Sequence, residues 1–99
     1  MLFMIRGHDV ENAGDIRDQG KRGHLQWVEQ HLDEIRVAGP LLDDHGRMIG
    51  SLFLVEADDS AAAENLIGED PYCRAGLWER IEIQPFMAAA GTWIGGTYW

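Results

Sequence analysis

Apolar and polar residues follow one another along the chain in blocks whose order predicts strand, helix, strand, strand, helix and strand. An apolar run at residues 2–8 indicates a strand buried on both faces, whereas the polar, glycine-containing stretch from Asp9 to Gly20 indicates a loop. The predicted elements are a strand at 2–8, a helix at about 21–37, strands at 37–42 and 50–56, a helix from 58 to 68 and a strand at 81–84.

The predicted first helix carries an apolar stripe, with His24 and His31 at its border with the polar face. The stripe consists of Leu25, Val28, Leu32 and Ile35. Gly39-Pro40 ends the helical pattern, because proline disfavours helical geometry in the residue before it. An acidic turn at residues 43–46 then separates two strands that we expect to form an antiparallel hairpin.

The second predicted helix begins at Asp58-Asp59-Ser60, which offers a capping oxygen, and ends at Gly68. In the last strand Ile81 and Ile83 alternate with polar residues, so we expect both isoleucines to anchor one face to the helices. This order is the ferredoxin-like split βαβ pattern (βαββαβ), an α+β fold whose four-stranded antiparallel sheet has two helices on one face.

Residues 1–86 are expected to form this domain, and the apolar character of both faces of the first and third strands favours a homodimer that packs sheet against sheet. Residues 87–99 add a neutral arm with aromatic side chains at Trp93, Tyr98 and Trp99. We expect the arm to pack on the domain or on the partner subunit. A lid or wall for an apolar ligand is the alternative.

The composition of the chain limits which classes of partner we expect it to bind. The 99 residues include 8 basic and 17 acidic side chains, a formal charge of −9 that repels a phosphate backbone, so we expect no nucleic-acid partner. No apolar run approaches the roughly 18 residues of a membrane span, and the opening apolar residues are too few for a signal peptide. The lone Cys73 excludes an internal disulfide and fits a reducing compartment. We expect a cytoplasmic protein without a membrane partner.

His24 and Asp70 are the candidate reactive pair. A carboxylate that accepts the imidazole N–H would fix the tautomer and leave the second ring nitrogen free to take a proton. The alternatives are a packing role for His24 and, for Asp70, a cap on the short turn from Pro71 to Gly76. His24 and His31 lie seven residues apart, about 10 Å along a helix, too far to share a metal ion. Nothing in the sequence demands a metal or another cofactor.

Five short motifs resemble the YciI-like (YCII-related) family across nearly the whole chain. They are His24-Leu25, Ala38-Gly39-Pro40-Leu41, Gly50-Ser51, Asp70-Pro71-Tyr72, and Ala75-Gly76-Leu77 leading into Ile83-Gln84-Pro85-Phe86. The resemblance implies a dimeric α+β barrel and an active site built on a His and an Asp that match His24 and Asp70. It extends to proteins linked with dehydrochlorination of chlorinated aromatic breakdown products, and the fold is similar to that of muconolactone isomerases.

Two further site residues follow from the same resemblance, and a third follows from its place in the sequence. Ser51 fits a strand position that faces the site in the family pattern, Tyr72 belongs to the Asp-Pro-Tyr motif, and Arg74 is the cation nearest to Asp70 in sequence. We expect these three residues to bind the substrate, although Arg74 could instead pair with a surface acid.

Two functions of different classes are consistent with the sequence. The first is a cofactor-independent lyase or isomerase that abstracts a proton from a small organic acid or aromatic-derived compound, leading to elimination, dehydrochlorination or isomerisation. In that enzyme neutral His24 is the general base, so activity falls as the pH drops through the range in which histidine titrates. The second is a non-catalytic dimeric module that binds a metabolite, in which the contact between His24 and Asp70 is structural.

Overall fold

The computed structural model describes residues 1–99, and the sheet is built from strands in both halves of the chain. The elements are β1 (Leu2–Asp9), α1 (Gly14–Gln30), β2 (Ile35–Leu42), β3 (Met48–Glu56), α2 (Ser60–Gly68), α3 (Pro71–Arg74), β4 (Trp78–Phe86), β5 (Ala90–Gly91) and β6 (Gly96–Thr97), with a 3₁₀ turn at Thr92–Ile94. None of the helices combines the length with the apolar character needed to cross a membrane.

The main sheet has the strand order β2-β3-β1-β4, and every neighbouring pair is antiparallel. The helices cover one face, so the predicted ferredoxin-like α+β fold is confirmed. The predicted hairpin between β2 and β3 is also confirmed, and Asp43 closes its turn by accepting the backbone N–H groups of His45 and Arg47 at 2.8 and 3.0 Å. Asp59 caps α2 as predicted, accepting the N–H of Ala62 at 2.8 Å.

The first helix lies seven residues earlier than predicted, because α1 begins at Gly14 and ends at Gln30. The supposed loop at 14–20 is therefore helical. Ile35 belongs to β2 and not to the helix. Its spacing from Leu32 matches a helical repeat only by coincidence. Gly39-Pro40 does not end the helix but lies inside β2, an edge strand, where a proline can be accommodated without a missing ladder bond.

Burial within α1 also differs from the predicted stripe. Leu25 is exposed, Leu32 lies beyond the end of α1 and is exposed too, and Trp27 is the buried side chain of the helix. Trp27 joins a core that includes Phe3 and Phe53 from the central strands of the sheet. Tertiary packing around a large aromatic ring thus outweighs the leucine pattern in setting which face of α1 points inward.

In the single chain β1 is buried on one face only, and burial of its other face stays a prediction because it depends on the expected homodimer. Phe3 and Ile5 lie beneath the helices, whereas Leu2 and Met4 point to the opposite face and are only half-buried. Register pairing places further apolar side chains beside them, from Leu52 and Leu54 of β3. We call these four residues the open-face strip, since no helix covers this side of the sheet.

β4 starts at Trp78, earlier than predicted, and its isoleucines differ in burial. Ile83 packs against the core, whereas Ile81 is exposed at the surface. Trp78 is buried because its ring lies over Gly7 of β1, a contact that a larger residue would prevent.

We expect Gly7→Ala to destabilise the fold by about 1–3 kcal/mol. A Cβ atom at Gly7 would lie 2.6 Å from the Trp78 ring, which is itself buried. Chemical denaturation measures the loss, and Gly39→Ala is the matched control because no atom lies within 4 Å of its added Cβ. Equal stability of the two variants would contradict the packing role of Gly7.

The C-terminal arm forms a small hairpin in which β5 pairs with β6. Its tight reversal requires glycines with positive φ, among them Gly95 at 80° and Gly96 at 120°. The aromatic side chains of the arm stand in solvent, with Trp93, Tyr98 and Trp99 exposed by 84%, 66% and 78%.

Candidate functional site

Asp70 occupies the position before α3, where Pro71 fills the first helical position. Its Oδ1 accepts the backbone N–H of Tyr72 at 2.9 Å, so Asp70 caps α3. The same carboxylate lies 2.9 and 3.0 Å from Nδ1 of His24, on the neighbouring helix α1. Asp70 is 0% exposed, so these two N–H groups take the place of water as its hydrogen-bond donors.

The geometry selects one tautomer of neutral His24. A carboxylate only accepts hydrogen bonds, so Nδ1 carries the proton and Nε2 holds a free lone pair. Nε2 has no hydrogen-bond partner within the chain. The Tyr72 ring stacks on the imidazole with 4.1 Å between the ring centroids and 16° between the planes, which fixes the ring orientation. Tyr72 thus holds one face of the His24 ring and Asp70 holds Nδ1, whereas the basic nitrogen Nε2 has no hydrogen-bond partner.

Two glycines let α1 approach α3 closely enough for this contact. A Cβ atom on Gly20 would lie 3.0 Å from the Tyr72 ring, and one on Gly23 would lie 3.3 Å from Pro71. Glycine is unfavourable inside a helix, and here its small size lets the two helices pack together. Larger side chains at these positions would push α3, and with it Asp70, away from His24.

A cavity of about 350 Å³ opens beside His24, a volume within the usual range for small-molecule sites. One part of its wall is apolar, and the other carries the side chains that can bind polar groups. The apolar wall includes Leu25, Val28, Pro40, Met48 and Phe53, and the polar wall includes Arg17, Lys21, His24 and Ser51. The cavity can therefore hold a ring or a short chain whose polar substituents face Arg17, His24 or Ser51.

Arg17 is held rigidly at the edge of this cavity. Its guanidinium makes a bidentate ion pair with Asp9 at 2.7 and 3.0 Å, and both side chains are nearly buried. Nη2 also donates to the carbonyl of Gly50 at 2.9 Å and to Oγ of Ser51 at 3.2 Å. The remaining Nη1 has only a weak contact with Met48 Sδ at 3.6 Å. Nη1 can therefore donate to the oxygen of a ligand.

Arg17 was missed by the sequence analysis because the stretch from Asp9 to Gly20 was interpreted as a loop. The signal that could have identified it is its spacing: Arg17 precedes His24 by seven residues, or two helical turns, and therefore lies on the same face of α1. That signal has meaning only once the helix is known to begin at Gly14.

The three predicted substrate-binding residues lie in different places. Ser51 is buried and lines the cavity. Tyr72 lines the cavity too, but its hydroxyl donates to the backbone carbonyl of Arg17 at 3.1 Å. Burial raises the pKa of this hydroxyl, so Tyr72 contributes a neutral phenol ring to the cavity wall. Arg74 is exposed outside the cavity, and its nearest polar contact is the carbonyl of Gly68 at 3.4 Å.

Other reactive groups lie apart from the cavity or are held inactive. Burial, aided by the charge of Asp70, raises the pKa of the Cys73 thiol, which keeps it protonated and a poor nucleophile. A larger depression of about 830 Å³ between α2 and β4 is lined by neither histidine nor arginine. No group of three or more His, Cys, Asp and Glu side chains is placed to hold a metal ion.

Comparison with known proteins finds a matching protein family and relatives of similar sequence. The model of the YCII-related domain matches residues 1–87. Protein YciI of Escherichia coli O6:H1 is 30% identical over 94 residues, covering 87% of this chain and 96% of that protein. An uncharacterised protein of Haemophilus influenzae is 28% identical over the same shares of the two chains.

One solved structure is also similar over nearly its full length. This is the 5-chloro-2-hydroxyhydroquinone dehydrochlorinase TftG from Burkholderia phenoliruptrix AC1100, in complex with 2,5-dihydroxybenzoquinone. It is 27% identical with a TM-score of 0.80, and the alignment covers 93% of this chain and 97% of that one.

Proposed function

Because the chain belongs to the YCII-related family, we propose that it is a small-molecule enzyme in which His24 acts as a general base oriented by Asp70. The observation that carries the proposal is the buried carboxylate on Nδ1 of His24, which leaves Nε2 unpartnered beside a cavity of about 350 Å³. A base of this kind needs no cofactor to remove a proton from an acidic O–H or C–H group.

The proposed reaction is proton abstraction followed by elimination or isomerisation. Nε2 of His24 takes the proton, and the electron pair of the broken bond forms a new double bond. In an elimination the leaving group departs with its own bonding pair, so that a chlorinated substrate loses the elements of HCl. In an isomerisation the proton returns at a different carbon. The similarity to the dehydrochlorinase TftG supports the first outcome and a substrate that is a small hydroxylated ring.

Substrate positioning is assigned to Arg17 and Ser51 rather than to Arg74. Nη1 of Arg17 would donate to a ring oxygen or a carboxylate, while the rest of the guanidinium is fixed by Asp9. A rigid planar donor lowers the entropic cost of orienting the substrate. The apolar wall formed by Val28 and Phe53 would contact the ring itself.

The test is chloride release from 5-chloro-2-hydroxyhydroquinone, followed with a chloride electrode, with deuterium exchange into small ring compounds and organic acids measured by NMR as a second assay. Catalysed release or exchange that disappears in His24→Ala supports the proposal. Chloride release or exchange that persists unchanged in that variant would show that another group is the base.

We expect Arg17→Met to lose both stability and substrate affinity, because it leaves the buried carboxylate of Asp9 without a partner. Breaking such a pair costs about 3–5 kcal/mol. The double variant Arg17→Met/Asp9→Asn removes both charges, so thermal denaturation should show most of the stability restored while KM stays raised. If the double variant recovers KM as well, Arg17 has no part in binding the substrate.

The proposed assembly is a homodimer in which two copies pack through their open-face strips. Four apolar side chains on a sheet face without a helix make a contiguous surface that water solvates poorly. The neighbouring charged residues on that face include both signs, such as Arg6 and Glu82, which suits contact between two identical copies.

A further inference from the structure

The C-terminal arm is folded, but its aromatic end lies away from the rest of the chain, since every residue from 91 to 99 is exposed. Its backbone bonds join Tyr98 to Ala89 and Gly95 to Thr92, so they stay within residues 87–99. Trp93, Tyr98 and Trp99 are largely exposed. A two-stranded hairpin is marginally stable alone, and clustered exposed aromatic rings mark an interaction surface.

A second uncovered apolar surface lies beside the cavity. Leu25 and Met48 line the cavity, and Leu42 is the register partner of Met48 in the hairpin of β2 and β3. Together with Ile49, all three are about half-exposed large side chains. We call these four residues the apolar rim. The apolar rim and the aromatic side chains of the arm are therefore both uncovered within a single chain.

The arm and the rim of one chain lie at opposite ends of the sheet. The arm leaves β4 at Phe86, which pairs with Leu2, whereas Ser51 of the cavity pairs with Gly7. Leu2 and Gly7 are about 17 Å apart at roughly 3.3 Å per strand residue. β4 and β2 are also opposite edges of the sheet, about 14 Å apart at a strand spacing of about 4.8 Å.

On the basis of the homodimer proposed above, we propose that the arm of each copy docks on the apolar rim of the other. A two-fold axis that runs across the strands reverses the strand direction of one copy relative to the other. Opposite ends of the two stacked sheets therefore lie above one another. Phe86 of one copy then lies at the sheet end that carries the rim of the other. The lateral gap of about 14 Å and the roughly 10 Å between stacked sheets combine to a span of about 17 Å, which is within reach of residues 87–93, since these extend to about 23 Å at roughly 3.3 Å per residue.

Charge and area favour a second copy as the occupant. Residues 87–99 contain no charged side chain, so their docking on a chain of net charge −9 adds no repulsion. A buried aromatic side chain contributes about 150–250 Å². The three rings of each of two arms would thus add on the order of 900–1,500 Å², which is comparable to a complete interface of standard size.

Docking would complete the candidate site. The cavity beside His24 is open toward Leu25 and Met48, so an aromatic ring from the partner would form its outer wall and exclude water from Nε2. Each active site would then contain side chains from two copies.

Cross-linking between single-cysteine variants tests this arrangement without depending on activity. In a Cys73→Ser background, Trp93→Cys is mixed with Met48→Cys and treated with a short bis-maleimide. The control mixture pairs Trp93→Cys with Glu64→Cys, which places its thiol on the exposed surface of α2, away from the rim. We expect the yield of linked dimer in the first mixture to exceed that of the control by about tenfold.

A variant that carries both Trp93→Cys and Met48→Cys separates the remaining possibilities. Linked dimers support docking on the second copy, whereas an internal link that migrates as a monomer places the arm on its own rim and overturns the proposal. Equal yields in the two mixtures would mean that the arm has no preferred surface, which also overturns it.

Sedimentation velocity distinguishes the arm from the dimer itself. We expect Trp93→Ala/Trp99→Ala to raise the dimer dissociation constant at least about tenfold, because truncation of interface tryptophans is among the most costly changes. A full-length chain that sediments as a monomer would refute both the homodimer and the docking. A dimer that is unaffected by the double substitution and gives no cross-link to Met48 would refute the docking alone.

Discussion

We expect His24→Ala to lower kcat/KM by about 10²–10⁴-fold, the usual contribution of a positioned general base. The variant loses the only imidazole that lines the cavity, and neither Ser51 nor Tyr72 can take its place as a base. Ser51 donates or accepts without being basic, and Tyr72 is a buried neutral phenol whose raised pKa keeps it protonated. Steady-state turnover of the chlorinated hydroquinone measures the loss.

His45→Ala is the matched control, because His45 lies in the exposed turn between β2 and β3 and does not line the cavity. It should keep the activity of the unmodified chain. If His45→Ala loses as much activity as His24→Ala does, the loss does not depend on the position of His24 beside the cavity.

The order of the elements could be predicted because each depends on local patterning. The turn after β2 contains Asp43 and Gly46, whose side-chain oxygen and positive φ close a hairpin in many contexts. The start of α2 contains Asp59, and a capping oxygen acts on the backbone only three residues away. Neither feature needs information from the rest of the chain.

The bounds of α1 could not be obtained in this way because they depend on distant contacts. Gly20 and Gly23 weaken the helix locally, yet they allow α1 to pack on Tyr72 and Pro71, fifty residues further on. That packing stabilises helical structure over a stretch that resembles a loop when the sequence is considered alone. The error then hid Arg17, because its position on the face of His24 is a property of the helix.

The contact between His24 and Asp70 could also not be predicted from local sequence alone. Each residue has an ordinary structural explanation, and Asp70 does cap α3 as one alternative held. The family motifs indicated that the two residues act together, whereas their distance is set by how α1 packs against α3. Because one carboxylate serves both the cap and the imidazole, a structural role and a catalytic role for Asp70 must be separated by experiment.

Asp70→Asn should abolish most of the activity while leaving the fold nearly as stable. The amide oxygen can still accept the N–H of Tyr72, so the cap on α3 survives. Its NH₂ group, however, donates where the carboxylate accepted, so His24 must present Nδ1 as the acceptor and carry its proton on Nε2. The nitrogen facing the cavity is then no longer a base, and kcat should fall by about 10³–10⁴-fold, as loss of the correct tautomer does in other enzymes.

Asp70→Ala provides the contrast, because it removes both hydrogen bonds. Loss of the cap costs about 0.5–2 kcal/mol, and each N–H left buried without an acceptor costs about 1–3 kcal/mol more. Its melting temperature should therefore drop well below that of Asp70→Asn. If Asp70→Asn melts as low as Asp70→Ala but binds 2,5-dihydroxybenzoquinone as well as the unmodified chain does, the pair is structural and the chain is a metabolite-binding module. If Asp70→Asn keeps its melting temperature and loses turnover, Asp70 acts through the tautomer of His24, which is the role a catalytic pair requires.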